Sequence, residues 1–174
     1  MTVQANGIEF PDHPDSPRVS SMASAITLRP ARADDLGFVG RVYLRAMGPT
    51  LQRAAGLSLH QQAELLAAHW SPTEIRIIAA AGREVGWIQA APMEAAVFVR
   101  NFCIDPDYQR LGIGTAVMHL IIGEAAGNGD AVALGVAKGN PARRLYERLG
   151  FRQTHDDAHH DYLWFDAKAQ PRDR

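Results

Sequence analysis

The segment Ile104-Asp105-Pro106-Asp107-Tyr108-Gln109-Arg110-Leu111-Gly112-Ile113-Gly114-Thr115 joins an apolar run rich in Val, Phe and Ile to a run with helical spacing. Glycines at 112 and 114 remove side chains where the backbone enters that helix. Bare N–H groups at the positive end of a helix dipole make a ready anion site. Arg110 adds a charge suited to a phosphate oxygen. Two glycines also ease a tight turn, so the spacing by itself leaves both readings open. Two other phosphate motifs do not fit. A nucleotide P-loop needs Gly-Lys-Ser/Thr, and Gly114-Thr115 has no lysine between its members. A dinucleotide fingerprint needs a small residue three after the second glycine, where this chain has Val117.

Two further groups invite chemistry. His155, His159 and His160 stand with Asp156, Asp157 and Asp161 in one short stretch. The i, i+4 spacing of His155 and His159 would suit a metal on a helix, but the stretch falls between two closing strands and reads as a solvated hairpin loop; no metal is expected. Cys103 is the only cysteine. An acyl-cysteine is conceivable there, yet strand alternation turns its side chain away from Phe102 and Ile104, which favours a small buried hydrophobe.

The elements that must position these residues follow a regular order. Ile26–Arg29 reads as a strand, and Asp34-Asp35 suits a helix start, with Leu36, Val39, Tyr43 and Met47 as its buried stripe. Ser58 and Gln61 have capping-box spacing ahead of a second helix, whose buried face is Leu59, Ala63, Leu66 and Trp70. Residues 74–80 and 84–91 read as a hairpin around Ala81-Gly82-Arg83, and Ala96–Ile104 as the next strand. Helical spacing over Gly112–Ala126 stops at Gly127-Asn128-Gly129, and Ala131–Val136 is a buried strand. Asn140-Pro141 caps a helix running to Gly150, and Phe151–Thr154 and Tyr162–Phe165 close the series. The order is β-α-α-β-β-β-α-β-α-β-β. Strand–helix–strand around Gly112–Ala126 requires a parallel pair, and the hairpins require antiparallel ones.

The chain of 174 residues suits one domain, with 47% hydrophobic and 21% charged residues. A formal net charge of −1, from 18 basic and 19 acidic side chains, gives no reason to expect nucleic acid. One cysteine excludes a disulfide scaffold, and a reducing cytoplasm is the expected compartment. The N-terminus lacks a signal-peptide pattern, and no apolar run approaches the roughly 18 residues of a membrane span, so no membrane association is expected. Residues 1–24, with Pro11, Pro14 and Pro17, are expected to form a loose tail, as are 168–174, leaving a domain over 25–167.

Gln109-x-x-Gly112-x-Gly114, preceded by Ile-Asp-Pro-Asp-Tyr, resembles the acetyl-CoA signature of the GNAT superfamily of N-acetyltransferases. The string Gly139-Asn140-Pro141-Ala142-Arg143-Arg144-Leu145-Tyr146-Glu147-Arg148-Leu149-Gly150-Phe151 is similar to the family's second cofactor segment, and Ile26–Pro30 with Asp34-Asp35-Leu36 to its N-terminal element. The similarity spans about residues 26 to 166. It implies an α/β fold: a single domain with a mixed, mostly antiparallel sheet, a splayed parallel strand pair and flanking helices. It implies acyl transfer, most simply of acetyl, from coenzyme A to a primary amine of a small molecule or peptide, in a ternary complex and without a metal.

By that resemblance pantetheine enters the gap beside Phe102, Cys103 and Ile104, with backbone groups of Phe102 and Ile104 bonding its amides. Backbone N–H groups of Gln109, Arg110, Leu111, Gly112, Ile113, Gly114 and Thr115 hold the pyrophosphate. Asn140 and Arg143 match positions that approach the cofactor, and Asn140 also suits a helix cap. Tyr146 matches the tyrosine that faces the thiol, and a phenol of pKa near ~10 suits a general acid for the departing thiolate. The base is unassigned: many family members carry a glutamate on the strand before the glycine turn, and Val97-Phe98-Val99-Arg100-Asn101-Phe102 has no carboxylate. Glu94 and Asp105 flank that strand and read as solvated surface groups. Trp70, Trp87 and Tyr43 near the acceptor side read as core packing, and Arg45 as part of a solvated face. A homodimer is implied at family level. The missing carboxylate also leaves open a non-catalytic acyl-CoA-binding module, and the glycine turn an enzyme using another nucleotide.

Overall fold

A computed structural model describes residues 25–166. The expected tails, 1–24 and 168–174, lie outside the described residues. Seven strands and four α-helices follow in the expected order: β1 (Ile26–Pro30), α1 (Leu36–Ala55), α2 (Leu59–Ala68), β2 (Ile75–Ala80), β3 (Arg83–Met93), β4 (Ala96–Ile104), α3 (Ile113–Asn128), β5 (Ala131–Ala137), α4 (Arg143–Arg148), β6 (Arg152–Asp156) and β7 (His160–Phe165). One sheet holds all seven strands in the order β1-β2-β3-β4-β5-β7-β6. Among the described residues only the β4–β5 pair is parallel, as the crossover through α3 demands. The sheet is mixed and flanked by helices, as the resemblance implied.

The two faces of the sheet bury different clusters. Against α3 and α4 lie Ile78, Ile88, Val99, Val117, Met118, Leu134, Tyr146 and Phe151. Against α1 and α2 lie Val39, Val42, Ile75, Ile77, Trp87 and Cys103. The stripe on α1 therefore runs through Val42 as well as Val39, with Tyr43 and Met47 packed at its margin.

The capping box at Ser58 forms as expected, Ser58 Oγ accepting from Gln61 N and Gln61 Oε1 from Ser58 N. It phases α2 so that Gln62, not Leu59, points inward. Leu59 is exposed, and buried Gln62 donates to the carbonyls of Gly48 and Leu57, tying α2 to α1. α1 is anchored at its start by Asp35, which accepts from both terminal nitrogens of Arg29 at 2.8 Å and from the Arg32 N–H at 2.7 Å. The Arg29 guanidinium lowers the Asp35 carboxyl to about 2. α3 runs past Gly127 and stops at Gly129 in the left-handed conformation, where chain reversal needs a residue without Cβ.

Candidate active site

β4 is the strand that changes partner along its length. Ala96 to Val99 pair in parallel with Ala131 to Leu134 of β5, and the pairing ends there. β5 continues beside β7 as far as Ala137, and β4 continues beside β3 as far as Ile104. Arg100–Ile104 and Gly135–Ala137 thus diverge, leaving a gap lined by unpaired main chain.

The cause is local. Gln89 faces Asn101 and Ala90 faces Val99, so Arg100 has no partner on β3 and forms a bulge. The bulge bends β4 away and resets its alternation. Val97 and Val99 pack toward α3 before it, and Phe102 and Ile104 do so after it.

The turn that follows supplies the anion site. Arg110 has φ 61° and Gly112 φ 79°, two left-handed residues separated by one other. Left-handed residues set into ordinary backbone turn successive N–H groups into one concavity, a nest for an anion. A non-glycine residue held there carries strain of about 1–2 kcal/mol, and such strain gathers at ligand clamps. The Arg110 side chain is exposed and makes no hydrogen bond or ion pair among the described residues. Leu111, Ile113 and Thr115 complete the entry to α3, with Ile113 buried in the core. Gly114 sits where a Cβ would come within 3.2 Å of Leu145 and 3.6 Å of Ile104, so it lets α3 close on α4 and on the end of β4.

The structure moves some expected side chains away from the gap. Gln109 donates its side-chain amide to the Ile104 carbonyl at 2.9 Å, stapling the turn to the end of β4. Asn140 Oδ1 accepts from the Ala142 N–H at 2.9 Å, closing a turn that leads into α4; the helix itself starts at Arg143 behind Ala142, so the expected cap is a turn instead. Arg143 donates to Glu147 at 2.7 Å, to Gln153 at 3.0 Å and to Asp161, so its guanidinium faces β6 and β7. Cys103 lies on the α1 face, packed with Val39, Val42 and Trp87, and burial pushes its thiol up to about 12. That thiol is no nucleophile, and only the Cys103 main chain borders the gap.

Tyr146 is 7% exposed, its ring edge-on to Phe151. Its hydroxyl has no hydrogen-bond partner among the described residues, and it is not one of the sealed polar atoms without partner. Burial pushes its phenol above the usual tyrosine range, so it holds its proton.

The opposite face of the sheet carries a cavity of about 560 Å³ between α2 and strands β3 and β4. Tyr43, Leu65 and Leu66 give it apolar walls; His69, Ser71, Glu74, Gln89, Arg100 and Asn101 give it polar ones. Arg100 and Asn101 are consecutive yet share this wall, as residues at a bulge do. Tyr43 therefore lines a pocket rather than only packing, whereas Trp87 is core as expected and Trp70 packs beside it.

Asp105 and Arg45 depart from the sequence reading. Asp105 is buried, not solvated, and Arg45 Nη1 donates to both its oxygens at 2.8 and 2.7 Å. Arg45 also reaches Asp107 at 3.0 Å, so the base of the glycine turn is pinned to α1. Glu94 lies exposed in the β3–β4 turn. The His155–Asp161 stretch forms strand ends around a short turn: His155 stacks on Tyr162, and Asp157 accepts the N–H groups of His159 and His160.

Residues 72–153 match the family described as acetyltransferase (GNAT) domain. A 63-residue stretch is 44% identical to the ribosomal protein bS18-alanine N-acetyltransferase of Escherichia coli strain K12, covering 35% of this chain and 41% of that protein. The chain thus spans about two fifths of the length of the curated relatives it matches. The fold superposes on the PaiA N-acetyltransferase from Thermoplasma acidophilum in complex with coenzyme A, with TM-score 0.65 and 15% identity, over 82% of this chain and 99% of that one. It superposes on the ribosomal-protein-S18-alanine N-acetyltransferase from Escherichia coli with TM-score 0.59 and 22% identity, over 80% and 91%.

Proposed function

We propose that this chain, which carries a GNAT acetyltransferase domain on the GNAT fold, is an acetyl-CoA-dependent N-acetyltransferase acting on a primary amine. The observation that carries the reading is the divergence of β4 from β5 beyond Val99 and Leu134, with a nest of two left-handed residues at its mouth. The residues fit coenzyme A. The gap exposes strand N–H and C=O groups to a ligand that carries amides, and the nest offers N–H groups and Arg110 to its pyrophosphate.

Acetyl-CoA supplies the activated acyl group, as a thioester. The chain's own residues do the rest. Backbone groups of Phe102, Cys103 and Ile104 align the donor; the carbonyl of Ile104 is already oriented by Gln109. N–H groups from Gln109 to Thr115 hold the charged end at the N-terminus of α3. Asn140 shapes the α4 entry through its turn, and Arg143 braces α4 against β7. Tyr146 keeps its proton in a buried setting and would be the general acid for the leaving sulfur, its phenol being the one proton donor that α4 brings to the gap side of the sheet.

The acceptor approaches from the α1–α2 face, where the cavity opens beside Arg100 and Asn101. The name of the Escherichia coli relative ties that protein to an alanine of a ribosomal protein; a peptide α-amine is accordingly the acceptor class to test first. A single buried thiol suits a reducing, cytoplasmic setting. No helix of the described residues is long and apolar enough to cross a membrane.

The test is thiol release from acetyl-CoA across a panel holding an alanine-initiated tripeptide, a lysine-containing peptide with blocked terminus and small alkylamines. Turnover on at least one amine is expected. Tight coenzyme A binding with no turnover on any of them would favour a non-catalytic module.

A further inference from the structure

The α1–α2 face of the sheet is apolar along the row Ile77, Trp87 and Cys103 and turns polar one row further, at Gln89 and Asn101. Gln89 and Asn101 face each other across β3 and β4, and both line the cavity with Glu74. Gln89 Nε2 donates to Glu74 Oε2 at 3.0 Å, and Asn101 Nδ2 donates to Gln89 Oε1 at 2.8 Å.

Chemistry fixes the direction of this chain. A carboxylate accepts hydrogen bonds and has none to donate, so Gln89 must turn its amide nitrogen toward Glu74. Its oxygen then faces Asn101, and Asn101 must answer with its own nitrogen. The two amide orientations, which are otherwise interchangeable, are set by one charge at the far end. What remains at the near end is Asn101 Oδ1, a hydrogen-bond acceptor with no partner among the described residues. It stands next to the Arg100 bulge, on the stretch of β4 that has lost its β5 partner.

We propose that Asn101 Oδ1 receives an N–H of the acceptor amine and aims its lone pair at the gap, with Glu74 and Gln89 as positioning residues. A site built from acceptor atoms takes a group that can donate a hydrogen bond and disfavours an ester, which has no donor to give. His69 adds to the set. Its Nδ1 lies 2.8 Å from the Leu65 carbonyl and donates to it, and the ring stands in the same cavity wall. This inference rests on the acyltransferase reading, and it names residues for the end of the reaction that β4, lacking a carboxylate, leaves unassigned.

Two variants test it, Glu74→Gln and Asn101→Leu, with n-butylamine and an alanine-initiated tripeptide as acceptors. In Glu74→Gln the chain loses its fixed direction, and KM for the amine should rise about tenfold, the worth of one hydrogen bond, while KM for acetyl-CoA stays within about twofold. Asn101→Leu should raise amine KM by a similar factor and lower kcat. The double variant should be little worse than Asn101→Leu, because both act through one acceptor atom. A coenzyme A-induced rise in melting temperature in each variant shows that the fold and donor side are intact.

A second measurement does not need turnover. The Asn101 side-chain amide resonance should move when n-butylamine is titrated into the coenzyme A-loaded protein, and should need about tenfold more amine to move as far in Glu74→Gln. Amine binding seen this way without acyl transfer would uphold the site and overturn the enzymatic reading. Acyl transfer with amine KM unchanged in both variants, or an Asn101 amide indifferent to amine, would overturn the site and leave the enzymatic reading standing.

Discussion

On the α3–α4 face, the groups assigned to the donor are mainly main-chain N–H and C=O groups of residues 102–115, joined by one phenol from α4. On the α1–α2 face, the cavity is walled by side chains from scattered stretches: Tyr43, Leu65 to Ser71, Glu74, Gln89 and the Arg100 bulge. On the proposed reading the first face would recognise through backbone shape, the second through side-chain identity. A backbone site is specified by where side chains are missing or strained, as at Gly112, Gly114 and Arg110. A side-chain site is specified by which distant residues the sheet register brings opposite one another.

If the division is real, donor-side changes should move acetyl-CoA parameters or the proton donor and spare amine affinity. Tyr146→Phe tests it most sharply. Loss of the buried acid should lower kcat at least about a hundredfold, with acetyl-CoA binding and amine KM nearly unchanged. Stopped thiol release beside calorimetric coenzyme A binding reads both; an active variant would remove Tyr146 from the proton path. Gly112→Asp comes next. It forces a side chain into a left-handed position at φ 79° and sets like charge against the anion site. Coenzyme A should bind about 10- to 100-fold more weakly, as titration would show, without a change in amine preference.

Acid should act on the other side. The folded-state Asp35 carboxyl is lowered to about 2 from an ordinary 3.8, so its contribution is present above pH 3.8 and is lost as pH falls toward 2. Because Asp35 starts α1, the cover of the cavity face, the urea midpoint should drop as pH falls from about 4 to about 2. That drop should shrink in Asp35→Asn; an undiminished drop would place the sensitivity elsewhere. The smallest effect belongs to Cys103→Ala. Its thiol is pushed up to about 12 and faces away from the gap, so kcat should stay within about threefold while the melting temperature falls slightly. A dead variant would revive an acyl-cysteine.

The same division explains what the sequence made legible. The order of elements followed from periodicity and caps such as Ser58–Gln61, because those signals are local. Gly112 and Gly114 stood out because a left-handed turn demands the first and close helix packing the second. Side-chain partners did not stand out. Gln109 and Arg143 have residue types fit for a cofactor, but their partners, the Ile104 carbonyl and Asp161, are set by tertiary neighbours. Asp105 looked solvated because Arg45 lies 60 residues away in sequence. Glu74, Gln89 and Asn101 were missed for the same reason: 15 and 12 residues separate them, and no spacing rule links positions that meet only through register. The sole available signal was three uncompensated polar residues at strand positions. Arg100 was beyond reach as well, since a bulge is a property of pairing.

That unpaired residue has a consequence for how the protein can change. A strand residue matched to a neighbour on each side is constrained by both, and replacing it disturbs the ladder. Arg100 has no opposite number on β3 and lies past the last β5 pair, yet its side chain forms part of the cavity wall. Its Nε lies 3.7 Å from Glu74 Oε2, so mutation there would reach the proposed acceptor wall, Glu74 included, without meeting the core. On the proposed reading, a protein that keeps its donor loop intact can explore new amines by drift at residue 100, and a saturation library at this one codon should shift its choice of acceptor.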